Sequence, residues 1–251
     1  MTYFTRFPIN VTRRLARSML ASPYSLHAAI EGSFSNSVGE PTDDGRILWR
    51  IDRQPNGSTL LYIVSPEKPS LVGLDEQIGF PDLEEPQWVT RLYDPFIEGL
   101  TQGQRYSFRL VANPVINRRS IVNERGRSKR IPHLTALQQA SWLVGAETQK
   151  GIDAEELGLL NSQGESRALR NGFNVCSNEP DGSHSLIVSN MRRVSFKRNV
   201  GGKPVTLATV QYDGILEVTD AVKLGYALTH GIGHAKSFGC GLLTLAPCGD
   251  R

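Results

Sequence analysis

Residues 46–65 read RILWRIDRQPNGSTLLYIVS, and this stretch decides the fold of the first half of the chain. Two runs rich in apolar residues, 46–52 and 59–65, flank the polar segment RQPNGS. The dipeptide Asn56-Gly57 favours a tight turn between antiparallel strands, because both residue types tolerate a positive φ. The stretch therefore predicts a β-hairpin at the centre of a larger unit.

The segments on either side of this hairpin complete one recurring order of elements. Before it, YFTRFPINV (3–11) alternates at period two as a strand does, and SPYSLHAAIEGSF (22–34) has the N-cap serine, first-turn proline and apolar stripe of a helix. After it, LVGLDEQIG (71–79) predicts a short helix and QWVTRLY (87–93) a strand. The order β-α-β-β-α-β is that of the ferredoxin-like unit.

The second half repeats this order with insertions. After an apparent linker, DPFIEGLTQGQ (94–104), the pattern predicts a strand over 105–111, a basic loop, a helix over 134–150, strands over 173–177, 184–189, 192–198 and 203–220, a helix over 220–230 and a terminal strand over 241–247. The helix over 220–230 has Asp220 as its N-cap and Gly231 at its end. We therefore predict an α+β protein of two tandem ferredoxin-like domains, residues 1–97 and 102–251.

The composition sets limits on the class of protein. The 251 residues include 39% hydrophobic ones, which suffices for one large domain or two small ones with their own cores. No apolar run approaches the roughly 18 residues of a membrane span, and the N-terminus lacks the pattern of a signal peptide. Cys176, Cys240 and Cys248 are few, odd in number and without a CxxC motif, so no disulfide framework is expected. We expect a cytoplasmic protein with no membrane association.

The net charge of +3 is unevenly spread along the chain. Residues 118–130 hold six basic residues and one acidic, and residues 192–203 hold five basic residues and none acidic. The five of the second cluster are Arg192, Arg193, Lys197, Arg198 and Lys203. Solvated loops and strand faces would explain either cluster alone. Two such clusters in one half favour a polyanionic partner such as nucleic acid.

A glycine-rich segment near the C-terminus, THGIGHAKSFGCGLLTLAP (229–247), resembles several ligand-binding loops in composition. A Walker loop needs a glycine directly before its lysine, whereas Lys236 and Ser237 follow His-Ala. A dinucleotide fingerprint follows a strand and opens a helix, and this segment has the reverse context. His230 and His234 have the i, i+4 spacing of zinc ligands, but glycines lie between them and the glutamate of HExxH is absent, so no metal site is expected.

Two interpretations of this segment remain open. Gly231 and Gly233 permit a positive φ and close approach, so that successive amide groups can hold a phosphate with the charge of Lys236 nearby. The same glycines suit a plain connection from a helix to a strand. Spacing alone does not decide between the two.

Tyr24 and His27 lie at i, i+3 in the helix predicted over 22–34, so their side chains are neighbours. A boundary histidine that packs beside a tyrosine would explain the pair without any chemistry. The pair also suits RNA cleavage by attack of a 2′-hydroxyl on the adjacent phosphate. That reaction needs a base and an acid near neutral pH, which histidine supplies, and donors for the phosphorane oxygens, which tyrosine or lysine supplies. It needs no metal or other cofactor.

Several segments together resemble the CasE family, the CRISPR repeat-processing endoribonucleases of the type I-E system. These segments are SPYSLHAAIE, ILWRID, LYDPF, YSFRLVANP, VTLATVQYDGILEVTD and ALTHGIGHAKSFGCGLLTLAP. They run from the first predicted strand to the last in the order expected of the family. The terminal motif is the most specific of them.

The resemblance implies two ferredoxin-like domains that face each other across a cleft and bind the stem-loop of CRISPR repeat RNA. It implies metal-independent cleavage at the base of the stem, which gives mature crRNA that stays bound while the protein joins the other subunits of Cascade. The family's catalytic histidine and its companion tyrosine fall on His27 and Tyr24. Its glycine-rich loop falls on residues 231–241 and its basic hairpin on residues 192–203.

The residues expected to contact RNA on this basis come from the loop and the hairpin. They are Gly231, Gly233, His234, Lys236, Ser237, Arg192, Arg193, Lys197, Arg198 and Lys203. Two other functions stay open. One is a non-catalytic RNA-binding subunit of the same fold, in which His27 only packs. The other is a small-molecule-binding or regulatory ferredoxin-like protein, which the two basic clusters disfavour.

Overall fold

The structure, a computed structural model, describes residues 1–35, 42–122, 128–145, 159–177, 184–197, 201–202 and 204–248. The first half forms a four-stranded antiparallel sheet. Its strands are β1 (Tyr3–Ile9), β2 (Leu48–Arg53), β3 (Thr59–Ser65) and β4 (Val89–Leu92), in the order β2-β3-β1-β4. The predicted hairpin is confirmed, since β2 and β3 pair with each other across the Asn56-Gly57 turn.

Three helices belong to this half: α1 (Arg14–Ala21), α2 (Pro23–Glu31) and α3 (Val72–Ile78). The apolar stripe of α2 is buried as predicted, with Leu26 and Ile30 in a core that also holds Phe7 and Leu61 of the sheet. Because apolar residues line up every third or fourth position of α2, one face of this helix packs on the sheet and the other stays near solvent.

The sequence did not predict α1, and it extended β1 too far. The side chain of Asn10 accepts hydrogen bonds from the backbone and the hydroxyl of Thr12, at 3.1 and 2.6 Å, which turns the chain after Ile9. Val11 is therefore outside the strand. Helix α1 has no side-chain cap at Arg13, so it lacks the start signal that marks α2.

The second half contains the other seven strands and four helices that the structure describes, together with a 3-10 helix. In chain order they are α4 (Asp94–Glu98), β5 (Arg105–Ala112), β6 (Val115–Val122), β7 (Ser128–Pro132), α5 (Ala136–Val144), α6 (Arg167–Arg170), β8 (Phe173–Val175), β9 (Leu186–Phe196), β10 (Val205–Val218), α7 (Ala221–His230), the 3-10 helix (Lys236–Phe238) and β11 (Leu243–Pro247). The sheet order is β11-β5-β10-β8, with β9 also paired to β10. Both sheets thus have the strand order of a ferredoxin-like unit, with β8 and β9 sharing one position in the second.

Four details of the second half differ from the prediction. The apparent linker begins with the short helix α4, and the predicted basic loop is the hairpin of β6 and β7. The helix predicted over 134–150 is described over Ala136–Val144, and residues 146–150 lie outside the described residues. The strands predicted over 184–189 and 192–198 form the single strand β9.

An irregularity in β9 explains why its sequence reads as two strands. The register with β10 shifts between Thr209 and Gln211, and Asn190 on β9 has a φ of 50°. A residue in this conformation breaks the alternation of side chains and bends the strand, as a β-bulge does. The break in the alternation of side chains therefore marks a bulge within β9, and the strand continues past it.

The two sheets share one hydrophobic core. Leu48 and Val64 of the first sheet are buried in the same cluster as Phe108, Leu110 and other residues of the second. These residues alternate along β2 and β3 with those that face the helices, so the first sheet is covered on both faces. The two halves therefore pack directly against each other.

A buried arginine also joins the two sheets. Arg50 on β2 is 2% exposed and donates two hydrogen bonds to the carboxylate of Asp52, at 2.7 and 2.9 Å. Its remaining donors reach the second half: the carbonyl oxygens of Arg109 (3.0 Å) and Leu242 (3.1 Å), and the hydroxyl of Thr244 (2.8 Å). Every guanidinium nitrogen of Arg50 thus has a protein partner, and the contacts join three strands, β2, β5 and β11.

In the part of the chain that the structure describes, no helix combines the length and the apolar character that crossing a membrane requires.

Candidate functional site

The sequence at the start of α2 fixes where His27 lies. The hydroxyl of Ser22 accepts a hydrogen bond from an amide of the first turn, and Pro23 occupies the first helical position. Leu26 points into the core beside the sheet, and the next residue, His27, lies at the edge of that buried face with its side chain 15% exposed. The predicted boundary position of His27 is confirmed.

Both ring nitrogens of His27 have a partner. The indole N–H of Trp49, on β2, donates to Nδ1 at 3.3 Å, and Nε2 lies 3.2 Å from Oε1 of Glu31. Because an indole can only donate, Nδ1 must be the acceptor, and the hydrogen of the neutral ring is on Nε2, where it is donated to Glu31. Burial lowers the pKa of His27 below its ordinary value; the Glu31 carboxylate opposes this shift, and the charge of Arg46 adds to it. The ring is therefore neutral at pH 7.

Glu31, Trp49 and Arg46 were missed by sequence reasoning. Glu31 had a usable signal, since it follows His27 by four residues and so lies one turn along the same helical face. Trp49 and Arg46 have none, because they reach His27 only through the packing of β2 against α2.

Tyr24 lies one turn before His27 on α2 and is 38% exposed. It makes no hydrogen bond to any residue in the described ranges, His27 included. Tyr24 is therefore accessible to a ligand one helical turn from His27.

The glycine-rich segment passes close to this helix. The 3-10 helix that begins with Lys236 packs against both α2 and β2. The structure thus brings the short helix that begins with Lys236, from the second half, against the helix that bears His27, from the first. Lys236 is half-buried and makes no ion pair with any described carboxylate. Burial lowers its pKa, and the charge of Arg46 lowers it further.

The backbone of the segment supports both interpretations made from its sequence. The amides of residues 233–237 make no backbone hydrogen bond within the described part of the chain, so they form a run of available donors. Gly231 and Gly233 have φ values of 75° and 82°, as expected. A side chain at Gly231 would also lie 2.7 Å from Leu48, and one at Gly233 would lie 3.0 Å from Trp142. The glycines therefore serve the close packing of a connection as well as a possible phosphate site.

His234 and Ser237 are half-buried in this segment. Burial lowers the pKa of His234, and the charges of Arg130, Arg167 and Lys236 lower it further. His234 is thus a neutral histidine among cations. His230 is directed elsewhere, since its ring stacks on Tyr226 with 3.7 Å between ring centroids.

The predicted basic hairpin is formed by β9 and β10, in which Arg192 pairs with Thr209 and Arg193 with Ala208. Arg192, Arg193 and Lys197 are exposed. The predicted contacts at Arg198 and Lys203 lie outside the described residues. Arg192 lines a cavity of about 610 Å³ that Pro23 and Trp49 also line, so the hairpin and the His27 region meet at one opening.

The described ranges contain no group of three or more histidine, cysteine, aspartate or glutamate side chains placed to hold a metal ion. Cys176, Cys240 and Cys248 are free thiols.

Comparisons with known proteins place this chain in a family. Residues 2–247 match the model of a family described as CRISPR associated protein. The chain is 26% identical over 248 residues to the CRISPR-associated endoribonuclease Cse3 of Thermus thermophilus, covering 98% of this chain and all of that protein. A shorter match, 50% identical over 46 residues, covers 18% of this chain and 23% of the CRISPR system Cascade subunit CasE of Escherichia coli. A structure of the CRISPR endoribonuclease Cse3 bound to a 19-nucleotide RNA superposes with a TM-score of 0.72 at 24% identity, over 98% of this chain and 99% of that one. The predicted fold class is confirmed.

Proposed function

Because this chain belongs to the CRISPR-associated protein family, to which the CasE and Cse3 endoribonucleases also belong, we propose that it is an endoribonuclease that processes CRISPR repeat RNA. We propose further that it cuts at the base of the repeat stem-loop without a metal ion. The observation that carries this proposal is the packing of the 3-10 helix that begins with Lys236 against α2, which bears the neutral His27.

The proposed reaction is an attack of a 2′-oxygen on the adjacent phosphorus. The 2′-hydroxyl gives up its proton, the phosphorus–5′-oxygen bond breaks, and the leaving 5′-oxygen takes a proton. The products are a 2′,3′-cyclic phosphate, which can open to a 3′-phosphate, and a 5′-hydroxyl. Histidine exchanges protons in the required pH range, so we assign one or both transfers to His27.

The surroundings of His27 determine which atom exchanges the proton. Glu31 has a side chain that is 43% exposed, whereas Trp49 is 3% exposed, so RNA reaches Nε2 by displacing Glu31. Either use of Nε2, as a base or as an acid, requires a hydrogen on Nδ1. That hydrogen cannot face the indole N–H of Trp49, so the contact between Trp49 and His27 must break during the reaction.

The other assigned residues bind or stabilise the RNA. We assign to the Tyr24 hydroxyl a role beside His27 in orienting the reacting groups or donating to the phosphorane oxygens. We assign Gly231, Gly233, His234, Lys236 and Ser237 to the RNA near the cut. Arg192, Arg193, Lys197, Arg198 and Lys203 are assigned to the stem, whose backbone a basic hairpin can follow by shape and charge.

The proposal extends to location and assembly. The partners are the stem-loop of CRISPR repeat RNA and the other subunits of Cascade, and the location is the cytoplasm. We also propose that residues 1–97 and 102–251 are two tandem domains, which pack against each other through a shared core. In support, the strands of the first sheet lie within residues 3–92 and those of the second within residues 105–247.

Incubation of pure protein with labelled repeat RNA in the presence of EDTA tests this function. We expect a shorter RNA that ends in a 2′,3′-cyclic phosphate or a 3′-phosphate, in a yield that EDTA does not change. A strict requirement for added metal would contradict the mechanism. Tight binding without any product would favour the non-catalytic RNA-binding subunit, and no binding to an RNA hairpin would contradict both.

Replacing Glu31 by glutamine should move the pH dependence of cleavage. The Glu31 carboxylate favours protonated His27, so its removal lowers the pKa of His27 further. The limb of the pH–rate profile that reports His27 should therefore shift to lower pH, whether His27 acts as a base or as an acid. An NMR titration of the His27 ring should shift in the same direction.

The matched control is Glu84→Gln, an exposed glutamate of the same half. It should leave both the profile and the titration unchanged. A profile that stays in place in Glu31→Gln, or moves to higher pH, would show that Glu31 does not act on His27.

A further inference from the structure

Arg46 is held between the two halves of the chain, immediately before β2. Its amide donates to the carbonyl oxygen of Thr229, at the end of α7, with an N–O distance of 3.2 Å. At the preceding residue, Gly45, a side chain would lie 2.9 Å from that same oxygen. The backbone of Arg46 therefore packs against the start of the glycine-rich segment, and this contact fixes the position from which its side chain extends.

The side chain of Arg46 is half-buried and makes no hydrogen bond or ion pair with the described residues. Its Nε is buried and has no hydrogen-bond acceptor, and no carboxylate in the described ranges pairs with the guanidinium. A buried donor without an acceptor is costly, and such groups usually face a ligand or water. An acceptor from outside the protein is needed to satisfy it.

Arg50 provides an internal comparison. It lies four residues after Arg46, at the same sheet edge, and all of its donors are satisfied by protein oxygens. Arg50 is thus a structural arginine. Arg46 has the opposite pattern, with a held backbone and an unsatisfied side chain, which is the pattern of a residue that binds a ligand.

The surroundings of Arg46 show which ligand it suits. Arg46 directly precedes β2, whose Trp49 contacts His27 and which packs against the 3-10 helix of Lys236. In agreement with this placement, the charge of Arg46 lowers the pKa of both His27 and Lys236. Glu31 is the one carboxylate, among those described, that contacts His27. Two cations with no paired acid attract an anion, and the fork of a guanidinium matches two oxygens of a phosphate.

We infer that Arg46 binds the RNA phosphate at which the chain is cut, opposite Lys236 and next to His27. This inference rests on the proposed function and adds a residue to its site. At that position the guanidinium contacts the two non-bridging oxygens and stabilises the charge that they gain in the phosphorane. Arg46, just before β2, and His27, on α2, then act on the same phosphorus.

Replacement of Arg46 by methionine tests this, because methionine keeps most of the aliphatic packing and removes the charge. In a single-turnover assay with saturating protein in excess over RNA, Arg46→Met should cleave about 100-fold more slowly than wild type. Arg46→Lys, which restores a point charge without the planar fork of the guanidinium, should cleave roughly tenfold faster than Arg46→Met. Arg91→Ala, an exposed arginine on β4, should cleave within about twofold of wild type.

A second measurement separates this inference from the proposed function. RNA with a 2′-deoxy residue at the cut site cannot react, so its binding reports contacts alone. For Arg46→Met, the slope of log affinity against log salt concentration should fall by about one, the value for one lost phosphate contact.

If wild type cleaves and Arg46→Met matches it in both rate and salt slope, the inference is overturned while the function stands. If wild type does not cleave, the proposed function fails, and the salt slope alone decides whether Arg46 binds a phosphate. A lower slope in Arg46→Met would support that contact, and an unchanged slope would overturn it.

Discussion

His27→Ala is expected to slow cleavage of the repeat stem-loop by roughly 10³- to 10⁴-fold, while the protein still binds the RNA within a few-fold of wild type. The substitution removes the group to which we assign proton transfer. It also leaves the core intact, because Leu26 and Ile30 carry the packing of α2. Single-turnover cleavage, with the 2′-deoxy RNA for binding, measures the two effects separately.

The basic hairpin of β9 and β10 provides a control with the opposite expected result, a loss of RNA binding with little loss of cleavage rate. Replacing Arg192, Arg193 and Lys197 together by glutamine should weaken binding and flatten its salt dependence. At saturating protein, the bound RNA should still be cut at a rate near that of wild type.

Undiminished cleavage by His27→Ala would refute the assignment of proton transfer to His27, and so would a loss of rate that follows entirely from lost binding.

Asp52→Ala is expected to lower the free energy of unfolding by about 3–5 kcal/mol. The Asp52 side chain is 5% exposed and holds the guanidinium of Arg50, which is itself 3% exposed. Asp52 also accepts from Arg109 at 3.3 Å, and Arg109 is bound in turn to Asp213 at 2.6 Å. Without Asp52, a full charge remains in the interior with no counter-charge in contact, which is the costly case for a buried ion pair.

Urea unfolding followed by circular dichroism measures this loss. The matched control is Glu217→Ala, which removes a carboxylate bound to Arg105 at 2.8 Å on the surface. Solvent screens that exposed pair, so its loss should be much smaller than the loss in Asp52→Ala. Equal losses in the two variants would show that burial of the Arg50 network contributes nothing to stability.

The fold was largely predictable because its signals are local. Asn56-Gly57 marks the central hairpin, and Ser22 with Pro23 marks the start of α2. Asp220 caps α7 as predicted, its side chain accepting from the amide of Lys223 at 3.0 Å. Where local signals were weak or misleading, as at the uncapped start of α1 and at the bulge of β9, the prediction was wrong.

The candidate site was only partly predictable. His27 and Tyr24 could be proposed because one helical turn brings them together, and the resemblance gave them a role. Trp49 on β2 contacts His27, and Arg46 just before β2 lowers its pKa, and no spacing in the sequence encodes either interaction. Their parts in the site depend on how β2 packs against α2, and that is a property of the tertiary structure.

The partners of Arg50 have a consequence for how the protein is made. Leu242 and Thr244 follow Arg50 by 192 and 194 residues, so a ribosome produces β2 long before it produces the oxygens that satisfy this arginine. Until β11 emerges, Arg50 lacks two of the five hydrogen bonds that it donates, and the first sheet lacks part of the core that covers its inner face. Lys236 emerges just before β11, so the nascent chain completes its proposed nuclease site and the contacts of Arg50 almost together.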